Sequence, residues 1–246
     1  MANETDSNDT TGDAGSALPK RWSHDEMGGN ALLLATLILL LVVLPFVPGD
    51  NTQTVVNRII WSVAIVAGIY RARGRRIFLW AALIIAIPSL LSGWVDLFGF
   101  AEAGPLLVAL FFSLIAAQIL TDIFSRGRVE VDQILGGINV YLLLGVVFAR
   151  LHVAVEHFAA GSYTLGGLPI ADAVAQTGQQ LDQVMLYFSV ITLTTLGYGD
   201  ILPVSEVARM LSSVEAVVGQ LFVAILIARL VSAHASRPAR ADPAKE

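Results

Sequence analysis

Six long apolar segments joined by short polar connections constrain this chain more than any other feature. They cover residues 30–47, 55–70, 77–94, 104–123, 134–158 and 207–232. A helix needs roughly 20 apolar residues to cross the hydrocarbon core of a bilayer, within a range of about 17–25. The composition agrees: 55% of the 246 residues are hydrophobic and 14% charged, against about 25% charged in a soluble domain. The expected fold class is therefore an all-α integral membrane protein with six transmembrane helices. Without cysteine, the chain has no disulfide and no thiolate metal site.

Lysine and arginine placement orients the segments. Lys20 and Arg21 precede the first. Arg71, Arg73, Arg75 and Arg76 separate the second and third, Arg126 and Arg128 the fourth and fifth, and Arg237, Arg240 and Lys245 follow the sixth. The alternate connections, 48–54, 95–103 and 159–180, contain neither residue. Cytoplasmic loops carry the Lys/Arg excess, so a multi-pass protein of the cell membrane with both termini cytoplasmic is expected. The formal charge of −5 lies largely in an acidic, Gly/Ser/Thr-rich start read as a disordered tail. It points to no particular partner, and no nucleic-acid partner is expected. The expected organisation is a tail at 1–25, a four-helix domain at 26–124, a cytoplasmic linker at 125–133, a pore-type domain at 134–233 and a tail at 234–246.

Between the fifth and sixth segments, residues 181–194 are apolar but too short to span, which reads as a re-entrant helix. Thr195-Leu196-Gly197-Tyr198-Gly199-Asp200 follows. Two glycines flanking one residue let the backbone reach positive φ and aim its carbonyls unusually. At membrane depth such backbone is tolerated only when buried in protein or lining a watery cavity. A row of carbonyl oxygens, with the Thr195 hydroxyl, can replace the water shell of a cation.

Residues 195–200 resemble the selectivity filter of tetrameric potassium channels, with Leu196 where valine is usual. Residues 187–194 resemble that family's pore helix, and 201–204 the exit to its inner helix. The resemblance implies a K⁺ filter formed by Thr195, Leu196, Gly197, Tyr198 and Gly199, with K⁺ as permeant ion at the first four and no cofactor. It implies a homotetramer in membrane lipid, because one filter strand cannot surround an ion. Thr192 and Thr194 would support the filter from the pore helix, whose C-terminal dipole favours a cation. Tyr187, where the family has tryptophan, would donate to Asp200. Glu156 matches a glutamate tying the outer helix to the pore region, or is a solvated carboxylate. Gly219 matches an inner-helix hinge, or permits close packing. Gln220 would face the cavity.

Other residues carry expectations of their own. Arg150 and Glu215 are charges inside predicted spans, where a partner is needed; a pair between them is expected. His152 lies one turn from Glu156 on the same helix face, as a pH-sensitive partner or a packed neutral ring. A voltage sensor carries a basic residue at every third position of its fourth helix; residues 106–121 have none. The chain contains no catalytic constellation, so an enzyme is not expected. Alternatives to a potassium channel are a weakly selective cation channel and a non-conducting subunit that joins other channels.

Overall fold

A computed structural model describes residues 24–43, 51–94, 103–125 and 131–235. Four helices come first: α1 (His24–Val43), α2 (Asn51–Ala72), α3 (Arg76–Trp94) and α4 (Gly104–Ser125). The second half runs α5 (Val131–Phe158), β1 (Tyr163–Leu165), β2 (Leu168–Pro169), α6 (Ile170–Thr177), α7 (Leu181–Leu193), β3 (Ile201–Pro203) and α8 (Glu206–Ala235). Each of the six apolar segments coincides with a helix in its described part. Most of both expected tails, and linker residues 126–130, lie outside the described residues. Several helix ends run a few residues past the sequence reading: α1 begins at His24, α2 covers Asn51–Ala72, α4 reaches Ser125, α5 takes in residues 131–133 of the linker, and α8 runs to Ala235.

Among the described residues, α2, α4, α5 and α8 carry stretches long and apolar enough to cross a membrane. The apolar parts of α1 and α3, Gly28–Val42 and Arg76–Leu91, are shorter. The outer surface supports a lipid environment. Ile77, Trp80, Ile84, Ile87 and Leu91 are exposed along one side of α3, and Val55, Ile59, Val63 and Val66 along α2. Stripes at i, i+3, i+4 and i+7 mark one helix face, and exposed apolar surface of this extent marks contact with membrane or protein.

The larger core joins the four-helix part to α5. Leu33, Leu37, Ile60, Ala64, Phe111, Phe112, Ile115, Ile119, Val140 and Leu143 belong to it. One end is closed by a polar cluster that is buried apart from Arg75. Arg71 Nε donates to Asn30 Oδ1 at 2.6 Å and its Nη2 to Asp122 Oδ2 at 2.9 Å, while Arg75 pairs with Asp122 Oδ1 at 3.1 Å. Asn30 Nδ2 donates to both Asp132 oxygens at 3.0 Å, and Asn139 Nδ2 to the Asn30 carbonyl at 2.8 Å. The acid of these ion pairs stands on α4, Arg71 at the end of α2 and Arg75 in the turn before α3; α4 itself carries no Lys or Arg.

A smaller core of Val153, Tyr163, Ile170, Val184, Met185, Phe188, Ile201 and Ala208 packs around α7. It includes a small antiparallel sheet, ordered β2-β1-β3, which an all-α reading did not contain. Tyr163, Thr164 and Leu165 on β1 face Pro203, Leu202 and Ile201 on β3. The β1–β2 hairpin turns at Gly166 and Gly167, with φ of 60° and 85°, as a two-residue turn between twisted strands requires.

Candidate functional site

The 13-residue α7 is too short to span a bilayer. Beyond it the backbone alternates in handedness: φ is positive at Thr195 (58°), Gly197 (52°) and Gly199 (80°), and only at those positions between 192 and 200. Alternating left- and right-handed residues turn successive N–H groups to one side, and hence their carbonyls to the other. Here the N–H side faces α7. Thr195 N donates to the Thr192 carbonyl at 2.9 Å, and Leu196 N and Gly197 N to the Ile191 carbonyl at 2.8 and 3.2 Å. For glycine the left-handed region is free of cost. For the β-branched Thr195 it is a true outlier, worth about 1–3 kcal/mol of stored strain. A Cβ at Gly197 or Gly199 would meet no atom within 4 Å, so dihedral angle and not crowding is what requires glycine there.

Both ends of this stretch are held. At the start, Thr194 Oγ1 donates to the Val190 carbonyl at 2.7 Å, and Thr192 is half-buried beside it. At the far end, Tyr187 Oη donates to Asp200 Oδ2 at 2.9 Å, and Gly166 N to the Asp200 carbonyl at 3.2 Å. Desolvation first, and the bond to Asp200 second, push the Tyr187 phenol up to about 12. The sheet then fixes the exit: β3 pairs with β1, and Val204 N donates to the Ser162 carbonyl at 2.8 Å.

Glu156 is buried and holds the root of that sheet. Its carboxylate accepts from Gly161 N at 2.8 Å and Tyr163 N at 3.2 Å. It is a tie between α5 and β1, and not a solvated group. Gly219 brings α8 against the end of α7. A Cβ there would lie 2.3 Å from the Leu193 carbonyl oxygen, and α8 continues through the position as unbroken helix. Gln220 Nε2 reaches Thr195 Oγ1 at 3.4 Å.

Two expected pairs are corrected. Arg150 does not meet Glu215. Its Nη1 pairs with Asp182 at the start of α7 at 2.8 Å, and its guanidinium lies 3.6 Å from the ring centre of Trp61 on α2. Glu215 meets His152 Nε2 at 2.8 Å instead. His152 accordingly does not pair with Glu156, and its Nδ1 lies 2.6 Å from Tyr163 Oη. The cause is packing direction. The inner face of α5 turns His152 towards α8, and the loop after α5 folds back to supply the N–H groups that Glu156 accepts.

Asp182, Trp61, Ser189 and Tyr163 therefore belong to the surroundings of the site, and sequence spacing did not single them out. Ser189 Oγ lies 2.7 Å from the Gly145 carbonyl and within hydrogen-bond distance of Glu215 Oε1. A serine amid the apolar residues of the short helix was an available signal. No His/Asp/Glu group suited to a metal occurs among the described residues.

Residues 140–235 match a family model described as "Ion channel". The match begins in α5 and runs through α7, the alternating stretch and α8. Among curated proteins, the chain is 26% identical over 129 residues to Protein LctB of Bacillus caldotenax, covering 49% of this chain and 92% of that protein. It is 34% identical over 112 residues to Two-pore potassium channel 2 of Arabidopsis thaliana, covering 46% of this chain but 21% of that protein. No solved structure matches. These likenesses, with the apolar helices, support a multi-pass membrane protein of the pore-loop ion-channel kind.

Proposed function

We propose that this chain is a potassium channel: four copies assemble in a membrane and pass K⁺ down its gradient between the carbonyls of Thr195, Leu196, Gly197 and Tyr198. The observation that carries this reading is the alternation of φ from Thr195 to Gly199 with three consecutive N–H groups returned to the end of α7. It leaves a row of carbonyl oxygens with no hydrogen-bond duty to α7. Such a row replaces the hydration shell of a cation, and the Thr195 hydroxyl extends it inward. The strain at Thr195 has a purpose on this reading, since a relaxed residue would turn its carbonyl out of the row. The named likeness to a potassium channel supports the choice of ion.

Fourfold assembly is supported by what one copy leaves open. Leu196 and Tyr198 are 54% and 68% exposed. Val207, Met210, Val214, Val217 and Leu221 form an exposed apolar face on α8. Four copies around one axis close the carbonyl ring and cover that face. The proposed membrane arrangement has six spans. The helices α1–α5 and α8 are 19 to 30 residues long, near or above the roughly 20 that reach across the core, with α1 and α3 the two whose apolar parts are shorter. α7 is then re-entrant, and both termini are cytoplasmic. Reconstituted into liposomes, the protein takes up K⁺ in preference to Na⁺. The Gly197→Ala variant, strained at a φ of 52°, loses that uptake while remaining assembled. Selective uptake that survived the substitution would place the conduction path elsewhere.

A further inference from the structure

Behind α7 lies a chain of polar groups that the proposed filter does not use. Tyr163, His152, Ser189 and Glu215 come from β1, α5, α7 and α8, and each is buried to within 2% of completely. Tyr163 Oη, His152 Nδ1, His152 Nε2 and Glu215 Oε2 make two successive contacts of 2.6 and 2.8 Å. Glu215 Oε1 then meets Ser189 Oγ, and Ser189 Oγ meets the Gly145 carbonyl at 2.7 Å. Phe188 closes the site, its ring 5.0 Å from that of His152 and 5.6 Å from that of Tyr163.

Each of the four contacts needs one hydrogen. The Gly145 carbonyl can only accept, so Ser189 must spend its single hydroxyl hydrogen there. The hydrogen between Ser189 and Glu215 then has to come from Glu215. We infer that Glu215 is a proton-binding site, a neutral carboxylic acid that donates from Oε1 to Ser189. The rest of the chain runs one way: Tyr163 Oη–H donates to His152 Nδ1, and His152 Nε2–H donates to Glu215 Oε2. Neutral imidazole and neutral acid satisfy all four contacts.

The other charge states fail by the same count. An ionised Glu215 leaves Ser189 one hydrogen for two acceptors, so two oxygens face each other with nothing between them. A doubly protonated His152 aims Nδ1–H at Tyr163 Oη, whose own hydrogen then has no acceptor among the described residues. An imidazolium–carboxylate pair suffers both faults.

The neighbouring charges are engaged elsewhere. On α5, Glu156 holds the N–H groups of Gly161 and Tyr163, and Arg150 turns to Asp182 of α7. On α7, Tyr187 serves Asp200; on α8, Arg209 Nε donates to the Pro203 carbonyl at 3.2 Å. None of them supplies a counter-charge to an ionised Glu215.

The protonation state rests on hydrogen-bond geometry alone; its consequence for conduction rests on the channel reading above. Removing the proton breaks either the Ser189–Glu215 or the Ser189–Gly145 link and places a charge behind α7. K⁺ flux therefore falls as alkali reaches the site. Glu215→Gln mimics the acid, because its amide oxygen accepts from His152 and its N–H donates to Ser189. The test is the infrared difference spectrum of purified wild type minus E215Q. The expected result is a protonated-carboxyl C=O band present in wild type and absent in E215Q, with E215Q flux equal to wild type and no longer sensitive to alkali. Ionised-carboxylate bands in place of the C=O band overturn the inference. Should E215Q fail to fold, Ser189→Ala decides: a shifted C=O band supports the assignment, and an unmoved or missing one overturns it. Absence of flux in wild type counts against the channel reading, while the infrared result still decides the proton.

Discussion

Arg150 shows how much of one residue's role depends on the far side of a helix. Its guanidinium is buried, stacked on Trp61 and paired with Asp182. It thus links α2, α5 and the start of α7. A desolvated cation–π contact is worth about 2 kcal/mol; Asp182 is partly solvated, which weakens the ion pair. Arg150→Met should lower the thermal midpoint in detergent, and an Asp182→Asn change on top of it should cost less than it does alone. Strict additivity would remove the coupling. Tyr187 is the second test at this scale. Tyr187→Phe leaves Asp200 without its donor, so K⁺ flux should decline faster under sustained conduction; an unchanged time course would deprive the bond of its role. The phenol's value is raised from 10.0 to about 12. The bond's contribution is therefore complete below the ordinary value and lost as pH rises through the raised one. The Tyr187–Asp200 bond should be indifferent to pH throughout the neutral range.

At the scale of elements, α8 and α7 meet where glycine permits it. A glycine kept for bending and a glycine kept for contact respond oppositely to Gly219→Ala. Alanine favours helix by up to about 1 kcal/mol over glycine, so a pure hinge would gain stability. The 2.3 Å approach to the Leu193 carbonyl predicts the reverse, an overpacking loss of about 1–3 kcal/mol, read as a lower unfolding midpoint. The helices themselves were legible in the sequence, because apolar length and period are local properties. The sheet was less so. Its strands are two or three residues long, and their pairing across the chain depends on tertiary contact, although Gly166-Gly167 between β-formers is a recognisable hairpin signal. Partners of buried charges were the hardest to read. Spacing put His152 beside Glu156, but packing gave His152 to Glu215, 63 positions away.

For the whole molecule, two packed halves share α5. One end of the four-helix half is held by the Arg71–Asp122 cluster. The pore-type half is held by ties that converge on α7: Arg150 at its start, Tyr187 and Ser189 along it, and the Gly219 approach at its end. The segment from Thr195 to Asp200 was legible because backbone conformation there depends on glycine placement, which sequence states directly. The left-handed Thr195 was not, since nothing about threonine announces it. Native mass spectrometry should give four times the chain mass of 26.2 kDa; a monomer would leave the carbonyl row unclosed and count against the proposed filter. The central claim, that carbonyls from Thr195 to Tyr198 select K⁺, is tested most directly by the reversal potential of the purified protein in a planar bilayer with K⁺ on one side and Na⁺ on the other. The account predicts a potential displaced far towards the K⁺ equilibrium value. A reversal potential near zero with measurable current would contradict it.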